Sequence, residues 1–173
     1  AGNTSFNQDL SSWNVSNVES IGHMFYGATS FNQDLSSWVL SSVNNMYGTF
    51  WEASDFNGDI STWNVSNVTS MRNMFRQASS FNQDISSWDV SNVTNMSNMF
   101  LALDTFNQDL SNWDVSSVTN FGGMFSNTAV GDDGTPEGCY YGTCALSAEY
   151  QCAINSSFSD QNENWPYDWS QNE

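Results

Sequence analysis

The chain contains no lysine, and Arg72 and Arg76 are its only basic residues, set against 19 acidic ones for a formal net charge of -17. Nucleic-acid binding requires phosphates to be neutralised by Lys or Arg, and anionic membrane surfaces draw on the same residues. Neither partner class fits this charge balance. Histidine occurs once, at His23, and there is no Gly-rich phosphate loop. A nucleophile and general base therefore have nothing to be assembled from, and the expectation is a non-catalytic protein. Carboxylates are plentiful enough for a glycosidase-type pair, but their regular spacing is explained more economically by turns. No apolar run reaches the eighteen residues of a membrane span, and no basic segment leads into an apolar one as in a secretory leader. Cysteine is missing until Cys139.

What the chain does have is repetition. A period of 25 aligns Phe6, Phe31, Phe56, Phe81 and Phe106, and with them Trp13, Trp38, Trp63, Trp88 and Trp113. The columns Leu10, Leu35, Ile60, Ile85, Leu110 and Phe25, Phe50, Phe75, Phe100, Phe125 hold the same register. Repetition at this period means stacked coils, each unable to bury its apolar face alone. Residues 1–130 are read as the array and 131–173 as a C-terminal cap or docking tail. The opening Ala1-Gly-Asn-Thr-Ser5 matches the end of the next unit, Tyr26-Gly-Ala-Thr-Ser30. The chain is thus read as starting mid-repeat, with an array and a targeting signal expected upstream.

Within a unit the apolar spacing changes. Ile85, Trp88 and Val90 suit a short strand and a corner, while Val93, Met96 and Phe100 follow at steps of three and four, as on one helical face. Ser91 precedes them as an N-cap, with Ser16, Ser41, Ser66 and Ser116 in its place elsewhere. The fold expected is therefore an α/β repeat: a right-handed leucine-rich-repeat-like solenoid of about five coils. Short parallel strands are expected near 7–11, 33–36, 58–61, 83–86 and 108–111, each followed by a short helix. The tryptophans should form a buried stack.

Two polar columns recur: Asn7, Asn32, Asn57, Asn82, Asn107 and Asp9, Asp34, Asp59, Asp84, Asp109. Aspartates stacked about 5 Å apart repel one another by about 0.8 kcal/mol even in water, so something must offset them. Either they accept backbone N–H groups in turns, or calcium bridges neighbouring carboxylates. No EF-hand or Gly-rich calcium-coil motif accompanies them.

The unit Phe81-Asn-Gln-Asp-Ile-Ser-Ser-Trp-Asp-Val-Ser-Asn-Val-Thr-Asn-Met-Ser-Asn-Met-Phe100 resembles the repeat of the BspA-like surface proteins, a leucine-rich-repeat variant, over residues 1 to about 130. The resemblance implies a solenoid on an extracellular or cell-surface protein, with adhesion or structural display as its role and a protein or glycan as its partner. The second unit departs with Val39-Leu40 and with Thr49 in a Met column.

The tail brings Cys139, Cys144 and Cys152, an odd number in which one disulfide and one further thiol are expected. Trp165, Tyr167 and Trp169 alternate, so an extended chain would present all three rings on one side. Arg72 and Arg76, read as one helical turn apart, form a cationic spot that the acidic tail could meet. Of the Asn-Xaa-Ser/Thr sequences, Asn67, Asn92 and Asn95 are the glycosylation candidates, read as helix-facing. Two alternatives to a display module stand beside it: a self-assembling filament subunit stacking end to end, and a calcium-dependent carbohydrate-binding module.

Overall fold

The structure, a computed structural model, describes residues 2–103, 105–126 and 148–167. The 25-residue period organises it, but not through the elements expected. Among the described residues there is one helix, α1, Ala148–Gln161, and no strand. Sheet pairing is reduced to four isolated parallel bridges, Ser20 to Asn45, Asn45 to Ser70, Ser70 to Asn95 and Asn95 to Asn120. The α/β, leucine-rich-repeat-like solenoid of parallel strands and short helices is therefore incorrect. These coils are built from turns.

The expected helices fail because their N–H groups go elsewhere. In the third coil the N–H groups of Met71, Asn73, Phe75 and Gln77 donate to the carbonyls of Asn95, Ser97, Met99 and Leu101 in the next coil. The N–H groups between them, on Met74, Arg76 and Ala78, close turns onto Met71, Asn73 and Phe75. Alternation between neighbouring coil and local turn leaves no i to i−4 series. The backbone confirms the break: His23, Asn73 and Asn98 adopt φ of 57°, 56° and 55°, and Glu52, Gln77 and Ala102 φ of 60°, 58° and 55°. A left-handed residue every few positions ends any right-handed helix. Steps of three and four thus record the pitch of consecutive turns.

The expected strands fail for a different reason: side chains supply the ladder there. Asn7 Oδ1 accepts the Asn32 N–H at 2.9 Å, Asn32 Oδ1 that of Asn57 at 2.8 Å, Asn57 Oδ1 that of Asn82 at 2.9 Å and Asn82 Oδ1 that of Asn107 at 2.8 Å. The amides of Gln33, Gln83 and Gln108 bond the same asparagine oxygens. Gly58 takes the Gln place in the third coil, where a Cβ would collide with the Gln33 carbonyl.

Apolar columns fill the interior. Phe25, Phe50, Phe75 and Phe100 each stack on the next at 5.3–5.9 Å, and Phe31, Phe56 and Phe81 on theirs at 5.9–6.1 Å. Trp38, Trp63 and Trp88 stack at 6.3 Å and are buried with Trp113. Each of these indoles has a hydrogen-bond partner, as burial requires. Nε1 of Trp38, Trp63, Trp88 and Trp113 donates to the carbonyls of Leu10, Leu35, Ile60 and Ile85 in the preceding coil, at 2.9–3.3 Å. Thr49, fully buried in its Met column, satisfies its hydroxyl on the Met46 carbonyl at 2.9 Å.

Helix α1 and residues 162–167 lie over the fifth coil. Phe158 and Ile154 are fully buried, and Trp165 meets Phe121 edge to face at 5.2 Å. Polar groups follow the same course. Ser157 Oγ donates to the Ser111 carbonyl at 2.6 Å, and Asn162 Nδ2 to those of Val115 and Val118 at 2.7 Å. Gln161 brackets the coil, donating to the Trp113 carbonyl and accepting the Val115 N–H. Tyr167 accepts the Phe125 N–H at 3.1 Å, and its burial pushes the phenol pKa up, partly countered by that bond.

Candidate binding face

The aspartate column is committed to turns. Oδ1 of Asp9, Asp34, Asp59, Asp84 and Asp109 accepts the N–H of the serine two residues on, at 2.7–3.0 Å. The Ser36 and Ser86 hydroxyls, and then their N–H groups, hold Asp34 and Asp84 below the usual carboxylate range; for Asp9 the Ser11 N–H leads. Asp9 and Asp34 share an open depression of about 300 Å³ with Ser11, Gln33, Ser36 and Ser37. Among the described residues no three His, Cys, Asp or Glu side chains converge as metal ligands. In each aspartate one carboxylate oxygen is held by a turn N–H, as in a capped turn.

The remaining candidates fall in scattered places. Asn67 and Asn92 donate Nδ2 to the Ser41 and Ser66 carbonyls of the preceding coil at 2.8 Å, and Asn95 accepts the Ser97 N–H. None of the three lies on a helix. Cys152 is half-buried in α1, whereas Cys139, Cys144 and Trp169 lie outside the described residues. Trp165 and Tyr167 pack together at 4.9 Å on the Phe125 side of the fifth coil. Arg72 and Arg76 belong to the third coil and lie over rings of the second, so the structure does not join them to the described part of the tail.

That placement exposes a face that a column-by-column search for invariant residues misses. Among the columns that change from coil to coil are Gly22, Tyr47, Arg72, Ser97, Gly122; His23, Gly48, Asn73, Asn98, Gly123; and Tyr26, Trp51, Arg76, Leu101, Ser126. Side chains at these positions differ between coils although the backbone repeats, down to the left-handed φ shared by His23, Gly48, Asn73, Asn98 and Gly123. The signal was present in the sequence as variation.

The first three coils build two parallel rows from these columns. In one, His23 meets Tyr47 edge to face at 4.4 Å, and the Arg72 guanidinium lies 5.5 Å over the Tyr47 ring. In the other, Tyr26 meets Trp51 at 5.0 Å, and the Arg76 guanidinium lies 4.8 Å over the Trp51 ring. His23 also contacts Tyr26 at 5.8 Å, tying the rows together. Gly48 lies between them with φ of 61°, and a Cβ there would meet the His23 imidazole at 2.8 Å, so a larger residue would have to displace that ring. Trp51 Nε1 reaches the Gln77 amide oxygen at 3.4 Å. His23, Tyr26, Tyr47, Trp51 and Arg76 are half-buried, and Arg72 is exposed. Beneath them Asn73, 2% exposed, leaves Oδ1 without a partner, and Arg76 Nε is shielded without an acceptor.

No helix among the described residues is long and apolar enough to cross a membrane. Comparison with curated proteins and with solved structures gives no match. A family described as "Mycoplasma protein of unknown function, DUF285" matches residues 1–59 and 36–134, spanning the coils and stopping before α1, and the chain belongs to that family.

Proposed function

We propose that the protein is a non-catalytic, extracellular or cell-surface module of the BspA-like kind, in which stacked coils serve as a rigid support and the His23–Arg76 flank contacts an outside partner. The observation that carries this reading is the concentration of both arginines, the single histidine and three half-buried non-repeating aromatics on adjacent turns of three coils. The repeated apolar columns hold the coils together, and the varied flank supplies side chains for recognition. The repeat elements Phe81-Asn-Gln-Asp and Val90-Ser-Asn-Val-Thr94 support the surface-protein assignment by resemblance. Adhesion is favoured over end-to-end filament assembly because the aromatic tail segment is already seated on its own fifth coil.

The test is attachment of purified protein to cell or matrix surfaces. Tyr47→Ser combined with Trp51→Ser should reduce attachment at least tenfold with the melting transition retained. Attachment that survives this change but is lost on altering Gln33 and Gln83, on the asparagine ladder, would move the contact face elsewhere.

A further inference from the structure

We infer that this flank binds a carboxylate-bearing sugar, a uronic- or sialic-acid-type residue of a glycan. The inference rests on the flank being the contact face and names its ligand.

The two guanidiniums are the chain's whole cationic complement, and despite 19 acidic residues neither is drawn into an ion pair among the described residues. Both lie over aromatic rings, a contact that brings no opposite formal charge to either guanidinium. Arg76 is also partly desolvated, with Nε cut off from water and from any acceptor. A cation in that condition gains most from an oxyanion, and a carboxylate matches the guanidinium fork with two parallel hydrogen bonds.

Two features narrow the carrier of that carboxylate. The net charge of -17 repels polyanions at long range, so the acid group belongs on an otherwise neutral frame. The second is the backbone. The N–H groups of His23, Gly27, Gly48 and Glu52 already donate to Tyr47, Trp51, Arg72 and Arg76 of the following coils. An extended peptide needs main-chain partners along its length, and here they are taken. The flank instead offers side chains: ring edges, two phenols and two guanidinium forks. Those suit a ring that presents C–H surface, hydroxyls and one carboxylate.

The experiment is titration calorimetry at low ionic strength with three probes: oligosaccharides ending in glucuronate or sialate, the same chains ending in neutral hexose, and a peptide of equal charge. Saturable binding of an acid-terminated sugar alone is expected, weakened about tenfold or more by Arg76→Gln and by Arg72→Gln. The exposed Arg72 provides a variant whose fold is not at risk. Equal binding of neutral sugar, binding of the peptide in place of the sugars, unchanged affinity when Arg72→Gln and Arg76→Gln are combined, or no saturable binding of any acid sugar would each overturn the inference. If attachment still depends on Tyr47 and Trp51 in those cases, the contact-face reading stands without the sugar; if it does not, both fall.

Discussion

The first and fifth coils share one repeat, yet their outward faces differ. At the first, Trp13 is 54% exposed and Phe6 and Met24 are half-buried; at the fifth, Phe121 and Phe125 are 2% and 0% exposed. The difference is what lies on top. Trp38 to Trp113 each donate to a carbonyl one coil back, and Trp13 has no such coil among the described residues. The tail, conversely, imitates a sixth coil: Ser157 Oγ bonds the Ser111 carbonyl as Ser37 Oγ bonds Ser11 and Thr62 Oγ1 bonds Ser36. Stability in this molecule resides in the interfaces between coils.

Removing the tail ahead of Ala148 should sharpen the comparison most. It strips Ile154, Phe158, Trp165 and Tyr167 from the fifth coil, each worth about 1.5–3 kcal/mol of burial, and orphans the Phe125 and Val115 N–H groups. Chemical denaturation should show a loss of at least about 5 kcal/mol. A change under about 1 kcal/mol would mean that the fifth coil needs no cover.

Substitution within the tryptophan column comes next. Trp63→Ala empties a site packed on both sides and should cost about 3–5 kcal/mol, whereas Trp13→Ala should cost less than about 1. Equal costs would erase the distinction between a tryptophan stacked on both sides and one that is 54% exposed.

Much of this was legible in the sequence and some was not. The period, the buried aromatic columns and the turn role open to the Asn and Asp columns follow from residue type and spacing. Hydrogen-bond routes do not. Val93, Met96 and Phe100 have the spacing of a helix face, but nothing in those residues says that the N–H groups of their segment alternate between the next coil and a local turn, or that Asn98 is left-handed. The flank was visible as variation among Gly22, Tyr47 and Arg72; only stacking shows that Arg72 ends over Tyr47. The alternation of Trp165 and Tyr167 announced an aromatic edge without naming the surface it would cover.

A smaller effect concerns one corner of the second coil. Asn14, Asn64, Asp89 and Asp114 accept the N–H of Ser16, Ser66, Ser91 and Ser116, whereas Val39 cannot serve Ser41 and is 59% exposed. Val39→Asn should restore that bond and raise stability by about 0.5–1.5 kcal/mol. A loss would show that the corner is not equivalent to its neighbours.

The least change is expected from acid. Ser hydroxyl and N–H donors lower the Asp34, Asp84 and Asp114 pKa values from the ordinary 3.8. Their contribution is therefore complete above that value and is lost as pH falls through the lower folded-state values. Replacing all three by Asn, whose side-chain oxygen accepts the same kind of turn N–H at Asn14 and Asn64 in the Asp114 column, should flatten the fall in melting temperature below pH 3.8. An unchanged slope would remove these carboxylates as its source.

The most direct measurement of the stacked-turn architecture is hydrogen exchange at the indole Nε1 groups, read by NMR. Trp38, Trp63, Trp88 and Trp113, buried and bonded to the preceding coil, should exchange slowly, with Trp13 fast. Rapid exchange at Trp63 and Trp88, or protection of Trp13 equal to theirs, would contradict it.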